Sequence, residues 1–355
     1  MIGIPEAFAR STVEREGERG AAWLAELPGI VEELLERWGC VPDGAVMHGG
    51  VGVIVPVRRR AEGTAVLKVS FPHPGNVHEP DAFSAWGGRG AVLLYERDDE
   101  RFAMLLERIR TSTLAEVHDG DEVVTVAGRI SRRLAIPAPP GLPRLCEQAD
   151  AWEAQLRKDA GELAHTLSPY VVDAAVATVR ELGRVQPDSL IHGDLHARNI
   201  LRADREPWLA VDPKGYAGDP AYDGGTLLKS RALTLLKADD LRKAVHRTLY
   251  LFAEAAELDR ECARRWAQFH AVQAAFWGRR HGFRTARSGS RLDWLTEFVD
   301  RLAELLTERA RAFRLDHLAD HRKSRDVQAG QVGGRCLGKR TSAVAADGMV
   351  AWFAC

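Results

Sequence analysis

Cysteine is scarce in this sequence, and its placement excludes two kinds of site. The 355 residues include five cysteines, which are Cys40, Cys146, Cys262, Cys336 and Cys355. Their number is odd, their spacing is wide and no Cys-x-x-Cys pair occurs, which argues against a disulfide framework and against a cysteine-ligated zinc site. We expect free thiols in a reducing compartment, and therefore a cytoplasmic protein.

Charge of one sign and long apolar runs are also lacking. The formal net charge is -1, so no basic field favours binding to nucleic acid. No apolar run approaches the length that spans a bilayer, and the stretch MIGIPEAFARSTVEREGERG lacks the basic and apolar regions of a secretory signal. We expect neither a nucleic-acid nor a membrane partner, and a monomer or weak dimer.

The first part of the chain has the pattern of a small antiparallel sheet. A length of 355 residues exceeds what one hydrophobic core usually holds, which favours two lobes. Apolar residues at helical spacing predict a helix over 31–38. Short apolar runs separated by turn residues predict strands over 51–57, 64–71, 92–95 and 103–107.

Beyond Arg110 the apolar spacing becomes that of helices. Helices are predicted at 147–167, 169–182, 261–283 and 292–306, and short strands at 189–192 and 208–212. The expected organisation is α+β, with a sheet-containing N-terminal lobe at 1–110 and a helical C-terminal lobe at 111–316. Residues 317–355 are rich in glycine and lack periodicity, so we predict a disordered or loosely attached tail.

The segment SLIHGDLHARNILRADREPWLAVD carries the clearest chemical signal. His192 and Asp194 follow a short apolar run, Asn199 comes five residues after Asp194, and Asp212 ends a second apolar run. Phosphoryl transfer to a hydroxyl group requires a carboxylate that orients the hydroxyl, and magnesium held by hard oxygen ligands. In the kinase arrangement Asp194 is the base, Asn199 and Asp212 hold the metal, and His192 braces the loop.

Two other interpretations of this segment were weighed. An HGD tripeptide can belong to an ordinary polar loop between strands, although the joint spacing of three polar residues is hard to obtain by chance. His192 and His196 are four residues apart, as in some zinc sites. No Glu follows His192 as in a zincin helix, and the segment has the pattern of a loop.

A nucleotide-binding kinase also needs a lysine on its sheet to hold the phosphates. Lys68 lies within the predicted strand AVLKVSF, which would bury its aliphatic stem. A carboxylate on the following helix should pair with it. Glu79 is the preferred partner, with Pro80 starting the helix directly after it, and Asp81 is the rival.

Glycines before the first predicted strand are suited to cover phosphates. Gly49, Gly50 and Gly52 let backbone N–H groups approach phosphate oxygens closely, and no Gly-Lys-Ser/Thr sequence of a Walker loop follows. The hinge is predicted at Glu107 and Ile109, where backbone groups could meet the purine. The donor is therefore ATP or GTP, with Mg²⁺, and the sequence does not decide between the two nucleotides.

These motifs resemble the aminoglycoside phosphotransferase family. The loop His192-Gly193-Asp194-Leu195-His196-Ala197-Arg198-Asn199 is similar to that family's HGDLHxxN, and AVDPKGYAGDPAYD is similar to its magnesium segment, with Asp212 as the ligand. One branch of this family includes streptomycin 6-phosphotransferases and hydroxyurea phosphotransferases. The chain is further similar to that branch in the stretch AWGGRGAVLLYERDDERFAMLLERI. The resemblance implies a protein-kinase-like two-lobe fold, with Glu79 at the place of the family's glutamate.

The resemblance also implies a small-molecule hydroxyl as acceptor. A streptomycin-type aminoglycoside is the expected acceptor, and hydroxyurea or a small metabolic alcohol is the alternative. A catalytically inactive kinase-like binding protein is a further alternative. No Ala-Pro-Glu segment follows Asp212, which argues against a protein kinase. Asp219 is expected to cap a helix, and Lys214 either touches phosphate or lies on the surface. The aromatic residues of the 261–283 helix are expected in the core.

Overall fold

A computed structural model describes residues 2–60, 63–283 and 289–308. Its first part contains two helices and six strands. They are α1 (Glu6–Arg37), β1 (Cys40–Pro42), β2 (Met47–His48), β3 (Gly52–Arg59), β4 (Thr64–Ser70), α2 (Glu79–Trp86), β5 (Leu94–Asp98) and β6 (Ala103–Glu107). The strands form one antiparallel sheet in the order β1-β3-β4-β6-β5, and β2 pairs with the other end of β3.

The alternation of side chains along β4 explains how this sheet is covered. Ala65, Leu67 and Val69 are fully buried in the core that the sheet shares with α1. Val66 packs on the opposite side, in the core that contains α2, and Lys68 has the same strand parity as Val66. Because successive side chains of a strand point to opposite faces, the polar residue emerges on the side of α2.

The rest of the described chain is mainly helical. Its elements are α3 (Gly120–Leu134), β7 (Ile136–Pro137), α4 (Ala149–Glu162), α5 (Pro169–Thr178), β8 (Ser189–Ile191), β9 (Ile200–Arg202), β10 (Trp208–Ala210), β11 (Tyr216–Gly218), α6 (Ala221–Ser230), α7 (Ala232–Leu235), α8 (Leu241–Ala256), α9 (Arg260–His281) and α10 (Ser290–Thr307). Antiparallel pairing joins β9 to β10, and β8 to both β7 and β11. A second core lies among α5, α6, α9 and α10.

The fold is therefore the expected α+β arrangement, and the differences are local. The helix predicted at 31–38 is the end of α1, which begins at Glu6; Gly17, Gly20 and Pro28 hide its first part from a search for periodicity. The short strands β1 and β2 and helix α3 were missed. The lobe boundaries at 110 and 316 stay predictions, and the tail predicted at 317–355 lies outside the described residues.

Some predicted ends also moved. The strand predicted at 92–95 is β5, which begins at Leu94. The helix predicted at 147–167 is the shorter α4, which a 3₁₀ turn precedes. Within the described ranges, none of the helices has the length and apolar composition needed to cross a membrane.

Candidate active site

The loop between β8 and β9 is held by the ring of His192. Its Nδ1 accepts a hydrogen bond from the Asp194 N–H at 3.2 Å, so its Nε2 carries the proton and donates to the carbonyl of Val211 at 2.9 Å. Burial lowers the pKa of His192 to about 4, although the nearby Asp194 carboxylate opposes this shift. The imidazole is therefore neutral, and its two hydrogen bonds connect the loop to the end of β10.

Asp194 is fixed through its backbone, and one oxygen of its carboxylate makes no hydrogen bond within the described chain. Its carbonyl accepts a hydrogen bond from Asn199 Nδ2 at 3.1 Å. The residue is 5% exposed, and its Oδ2 has no hydrogen-bond partner within the described chain. Because an unpaired buried oxygen is costly, such an atom calls for a partner that the protein alone does not supply.

Asp223 of α6 anchors the same loop through its carboxylate. Its carboxylate accepts the backbone N–H groups of His192 at 3.2 Å and Gly193 at 3.0 Å. Burial raises the pKa of Asp223 to about 7, while these N–H groups favour the ionised form. Gly193 has φ 79°, and a Cβ there would lie 2.6 Å from the ring of Tyr216. The sequence predicts a cap at Asp219 but does not predict this role of Asp223.

The β9–β10 hairpin brings Asn199 and Asp212 together. Ile200 pairs with Ala210, and the Val211 N–H donates to the Asn199 carbonyl at 2.9 Å, so Asp212 follows directly beside Asn199. The amide nitrogen of Asn199 donates to the Asp194 carbonyl, so its oxygen is the end that could bind a metal. Two neighbouring oxygen donors fit magnesium, which takes few protein ligands and completes its shell with phosphate and water.

Lys68 connects the sheet to this hairpin. Its Nζ lies 2.5 Å from Glu79 Oε1 and 2.6 Å from Asp212 Oδ1. Burial lowers the pKa of Lys68, but the two carboxylates more than offset this and the pKa is raised. Burial also raises the pKa of Glu79. Asp212 has a lowered pKa because Lys68 and Lys214 outweigh its desolvation.

The partner expected for Lys68 is therefore Glu79 and not Asp81. Helix α2 begins at Glu79, with Pro80 in its first turn. Asp81, two residues after Glu79, instead pairs with His78 at 2.9 Å and with Arg97 at 2.9 Å. The rival assignment is excluded, because a residue two positions further along a helix points in another direction.

The glycines lie at the hairpin between β2 and β3, and β3 pairs with β4, the strand that carries Lys68. The Gly49 N–H donates to the Gly52 carbonyl at 2.9 Å and closes the turn. A Cβ at Gly52 would lie 2.7 Å from the carbonyl of Val69, so glycine is required there. Among the described residues, no atom lies within 4 Å of a Cβ built at Gly49, which leaves this side of the turn open to them.

The two predicted hinge residues differ. The Glu107 N–H donates to the Leu93 carbonyl at 2.8 Å, and its carboxylate pairs with Arg205 at 2.9 Å. The N–H and the carboxylate of Glu107 are therefore engaged within the protein, and neither of them is available to bind the purine. In the described part of the chain, the backbone N–H of Ile109 makes no hydrogen bond, so it is the open donor of the pair.

The segment after Asp212 packs against both lobes. The Lys214 N–H donates to the His192 carbonyl at 2.8 Å, and Lys214 is only 9% exposed, so of its two expected positions the one on the surface is wrong. Gly215 has φ 68°, and a Cβ there would lie 2.7 Å from the carbonyl of His78. Because His78 immediately precedes α2, this close approach sets the distance between Glu79 and Asp212.

The aromatic residues of α9 belong to the core, as expected. Trp266, Phe269 and Phe276 are at most 1% exposed, and Trp266 Nε1 donates to Asp219 Oδ2 at 3.0 Å. The capping role of Asp219 is also present, since its Oδ1 accepts the Ala221 N–H at 2.9 Å. These rings therefore support α6, which in turn carries Asp223.

Two arginines at the end of α9 form ion pairs with carboxylates of other helices. Arg279 pairs with Asp300 at 2.6 Å. The Nε of Arg280 lies 2.7 Å from Asp159. His196 was considered only as a zinc ligand. It is 6% exposed, and neither ring nitrogen has a hydrogen-bond partner among the residues that the structure describes.

The comparison with known proteins agrees with this arrangement. Residues 37–282 match the sequence model of the aminoglycoside/hydroxyurea antibiotic resistance kinases. The chain belongs to this family. It is 37% identical over 279 residues to a streptomycin 6-kinase of Streptomyces glaucescens, covering 78% of this chain and 91% of the relative. It is 36% identical over 282 residues to a hydroxyurea phosphotransferase of Kitasatospora aureofaciens, covering 78% and 80%.

This membership makes the protein a small-molecule phosphotransferase, and it implies a nucleotide as phosphoryl donor. The fold agrees with a crystal structure of a choline/ethanolamine kinase family protein from Mesorhizobium loti. That structure has a TM-score of 0.53 and 13% identity, and the match covers 79% of this chain and 96% of the other. The predicted two-lobe kinase-like fold and the predicted family are thus confirmed.

Proposed function

We propose that this kinase transfers the γ-phosphoryl group of ATP or GTP to a hydroxyl group of a streptomycin-type aminoglycoside. Asp194 orients the acceptor hydroxyl and takes its proton as the oxygen attacks the γ-phosphorus. The bond between that phosphorus and the β–γ bridging oxygen breaks, and the nucleoside diphosphate leaves with the electron pair. Charge on the phosphates is stabilised by Lys68, which Glu79 holds in place.

One observation carries the assignment of Asp194. Its Oδ2 is buried and has no hydrogen-bond partner among the residues that the structure describes, while the backbone on either side of it is fixed by His192, Asn199 and Asp223. A rigid loop with one unused carboxylate oxygen suits a group that must bind a substrate hydroxyl. A carboxylate with a purely structural role would have its oxygens paired within the protein.

We further propose that Asn199 and Asp212 hold Mg²⁺ between them. Their oxygens are hard ligands on adjacent positions of one hairpin, and the lowered pKa of Asp212 keeps it ionised. When bound, Mg²⁺ neutralises charge on the phosphate oxygens. The glycine hairpin would cover the phosphates, and the open N–H of Ile109 would meet the purine.

The acceptor has two candidates within the family. Streptomycin is favoured by the higher identity to the Streptomyces glaucescens kinase, which extends over most of both chains. Hydroxyurea is the second candidate, because the Kitasatospora aureofaciens phosphotransferase is almost equally similar. The catalytic loop is common to both chemistries, so the acceptor pocket distinguishes them.

The test is phosphoryl transfer followed by mass spectrometry. The protein is incubated with Mg²⁺ and ATP or GTP, and with streptomycin, hydroxyurea or choline in parallel. We expect addition of one phosphoryl group to streptomycin. An adduct on hydroxyurea or choline alone would refute the streptomycin assignment and leave the kinase assignment standing.

Asp194→Asn tests the catalytic base in the same assay. We expect a loss of roughly 10²–10⁴-fold in rate, because the amide cannot take the proton. Asp204→Asn is the matched control, since Asp204 belongs to the β9–β10 hairpin and its side chain is 80% exposed. Transfer by Asp194→Asn at the control rate would refute the assignment.

A further inference from the structure

The first half of α1 folds back on the second half. The helix is interrupted at Gly17, with φ 61° and ψ -135°, a conformation that other residues adopt only with strain. A Cβ at Gly20 would lie 2.9 Å from the Thr12 carbonyl. In a straight helix, residues eight positions apart are separated by about 12 Å, so the two halves lie side by side.

This returning half contacts the glycine hairpin at two points. Phe8 is fully buried in the core beneath the sheet, with its ring centroid 5.5 Å from that of His48 on β2. Arg15 Nη1 donates to the Gly50 carbonyl at 3.0 Å, and its Nε pairs with Glu16 at 2.7 Å. The segment precedes residues 37–282, which match the family.

The contact with Arg15 fixes one particular peptide group. In a trans peptide the carbonyl of Gly50 and the N–H of Val51 point in opposite directions. Arg15 holds that carbonyl, and the Phe71 N–H holds the next carbonyl, that of Val51, at 2.8 Å. Over the described ranges, neither Gly50 nor Val51 donates its own N–H to a hydrogen bond.

We infer that Arg15 is a positioning residue for the phosphoryl donor. By binding the Gly50 carbonyl it keeps the Val51 N–H on the opposite side of the peptide, available to a phosphate oxygen. It also prevents a rotation that would turn the carbonyl, an electron-rich group, toward the phosphates. The inference rests on the proposed nucleotide site, because it assigns the glycine hairpin to the phosphates.

The first experiment compares Arg15→Gln with Arg10→Gln in steady-state kinetics. Arg10 is the matched control, since it lies on the same helical half and forms an exposed ion pair with Glu6. For Arg15→Gln we expect the KM for ATP to rise roughly three- to ten-fold, the loss of one hydrogen bond from a charged donor. The KM for the acceptor and the melting temperature should stay near those of Arg10→Gln.

Arg15→Lys separates the hydrogen bond from the charge. It keeps a cation and a single donor group but loses the planar guanidinium. We expect a KM for ATP between those of the wild type and Arg15→Gln. If the charge alone acted at a distance, the KM for ATP of Arg15→Lys would equal that of the wild type. The KM for ATP of Arg10→Gln would then equal that of Arg15→Gln. Either result would overturn the inference.

A second pair of variants acts on the fold of α1. Gly17→Ala opposes the backbone conformation at the break, whereas Gly29→Ala in the same helix meets no atom within 4 Å and has ordinary φ. We expect only Gly17→Ala to raise the KM for ATP. Its effect should not add to that of Arg15→Gln, because both remove the same contact.

The outcomes distinguish this inference from the proposed function. An unchanged KM for ATP in Arg15→Gln, in a protein that Lys68→Met inactivates, overturns the role of Arg15 and leaves the kinase site intact. Equal rises in both KM values also overturn it, since they indicate a general structural effect. Transfer that survives both Lys68→Met and Asp194→Asn overturns the proposed site itself.

Discussion

Lys68 of β4 and Asp212 after β10 form a direct ion pair, with Nζ 2.6 Å from Oδ1, although 144 positions separate them in the sequence. The same Nζ contacts Glu79 at 2.5 Å. One ammonium group therefore bridges two carboxylates, one on helix α2 of the sheet lobe and one directly after the β9–β10 hairpin. A donor phosphate that binds here meets a lysine that is already oriented.

Removal of Lys68 should cost stability as well as activity. Lys68→Met leaves Glu79, with a side chain only 2% exposed, without its cation. Breaking such a buried pair costs about 3 kcal/mol, and transfer should fall strongly because the phosphates lose their cation. Glu79→Gln added to Lys68→Met should recover part of the stability, since an amide needs no counterion.

Urea unfolding at pH 8 measures these changes, with Lys158→Met as the control because Lys158 is an exposed residue of α4. We expect the control to match the wild type in both stability and transfer rate. If the double variant proves less stable than Lys68→Met, the carboxylate of Glu79 has another partner and the proposed pair is not the source of the effect.

The proposed metal ligands predict a specific change in magnesium dependence. Asp212→Asn and Asn199→Ala should each raise the Mg²⁺ concentration for half-maximal rate by roughly ten-fold or more, because each weakens or removes an oxygen ligand. Asn199→Asp keeps an oxygen but loses the donor to the Asp194 carbonyl. It should retain more of the metal response than Asn199→Ala while its maximal rate stays low. Titration curves that overlay that of Asp204→Asn would contradict the assignment.

Candidate site residues could be proposed from the sequence more readily than the contacts that they make. Asp194 and Asp212 each follow a short apolar strand and Asn199 directly precedes another, so the local pattern singles them out. Lys68 lies on an apolar strand and Glu79 directly precedes a proline, so both residues could be proposed from the local pattern. These features are local, and a local pattern is what a sequence shows directly.

The parts that were missed depend on distant contacts. Asp223 looks like an ordinary residue of a helical first turn, and only the packing of α6 under the loop brings it to the N–H groups of His192 and Gly193. Lys214 looks like a surface lysine, and it is buried because Gly215 approaches the start of α2. The first half of α1 carries charged residues and two glycines, so its periodicity does not predict a packed helix.

The anchor at Asp223 predicts a loss of rate without a loss of binding. In Asp223→Asn one of the two backbone N–H groups faces an amide nitrogen instead of an oxygen, so the loop loses a hydrogen bond. A displacement of Asp194 of the order of 1 Å can cost about 10²-fold in kcat. We expect kcat to fall by roughly 10- to 100-fold while both KM values change less than about three-fold. Asp293→Asn, at an exposed position of α10, is the control, and a wild-type kcat in Asp223→Asn would contradict the anchoring role.

The buried neutral ring of His192 predicts a dependence of stability on pH. Burial lowers the pKa of His192 from 6.5 to about 4. Between these values the unfolded chain takes up a proton that the folded protein does not, so the free energy of unfolding falls as the pH falls. The difference corresponds to about 3 kcal/mol at most. Asp223 acts in the opposite direction, because its raised pKa makes the folded state hold a proton up to about pH 7.

The two opposing groups are separated by a comparison of the wild type with His192→Gln, which cannot ionise but leaves Asp223 in place. Chemical unfolding is measured from pH 4.5 to pH 7.5. The stability advantage of the wild type over His192→Gln should be largest above pH 6.5 and should shrink toward pH 4.5, since only the wild type has this proton to exclude. His281→Gln, at an exposed position on α9, is the control for the replacement of a histidine by glutamine. A constant difference between wild type and His192→Gln across this range would mean that the ring is protonated in the folded protein, which would be incompatible with an Nδ1 that accepts the Asp194 N–H.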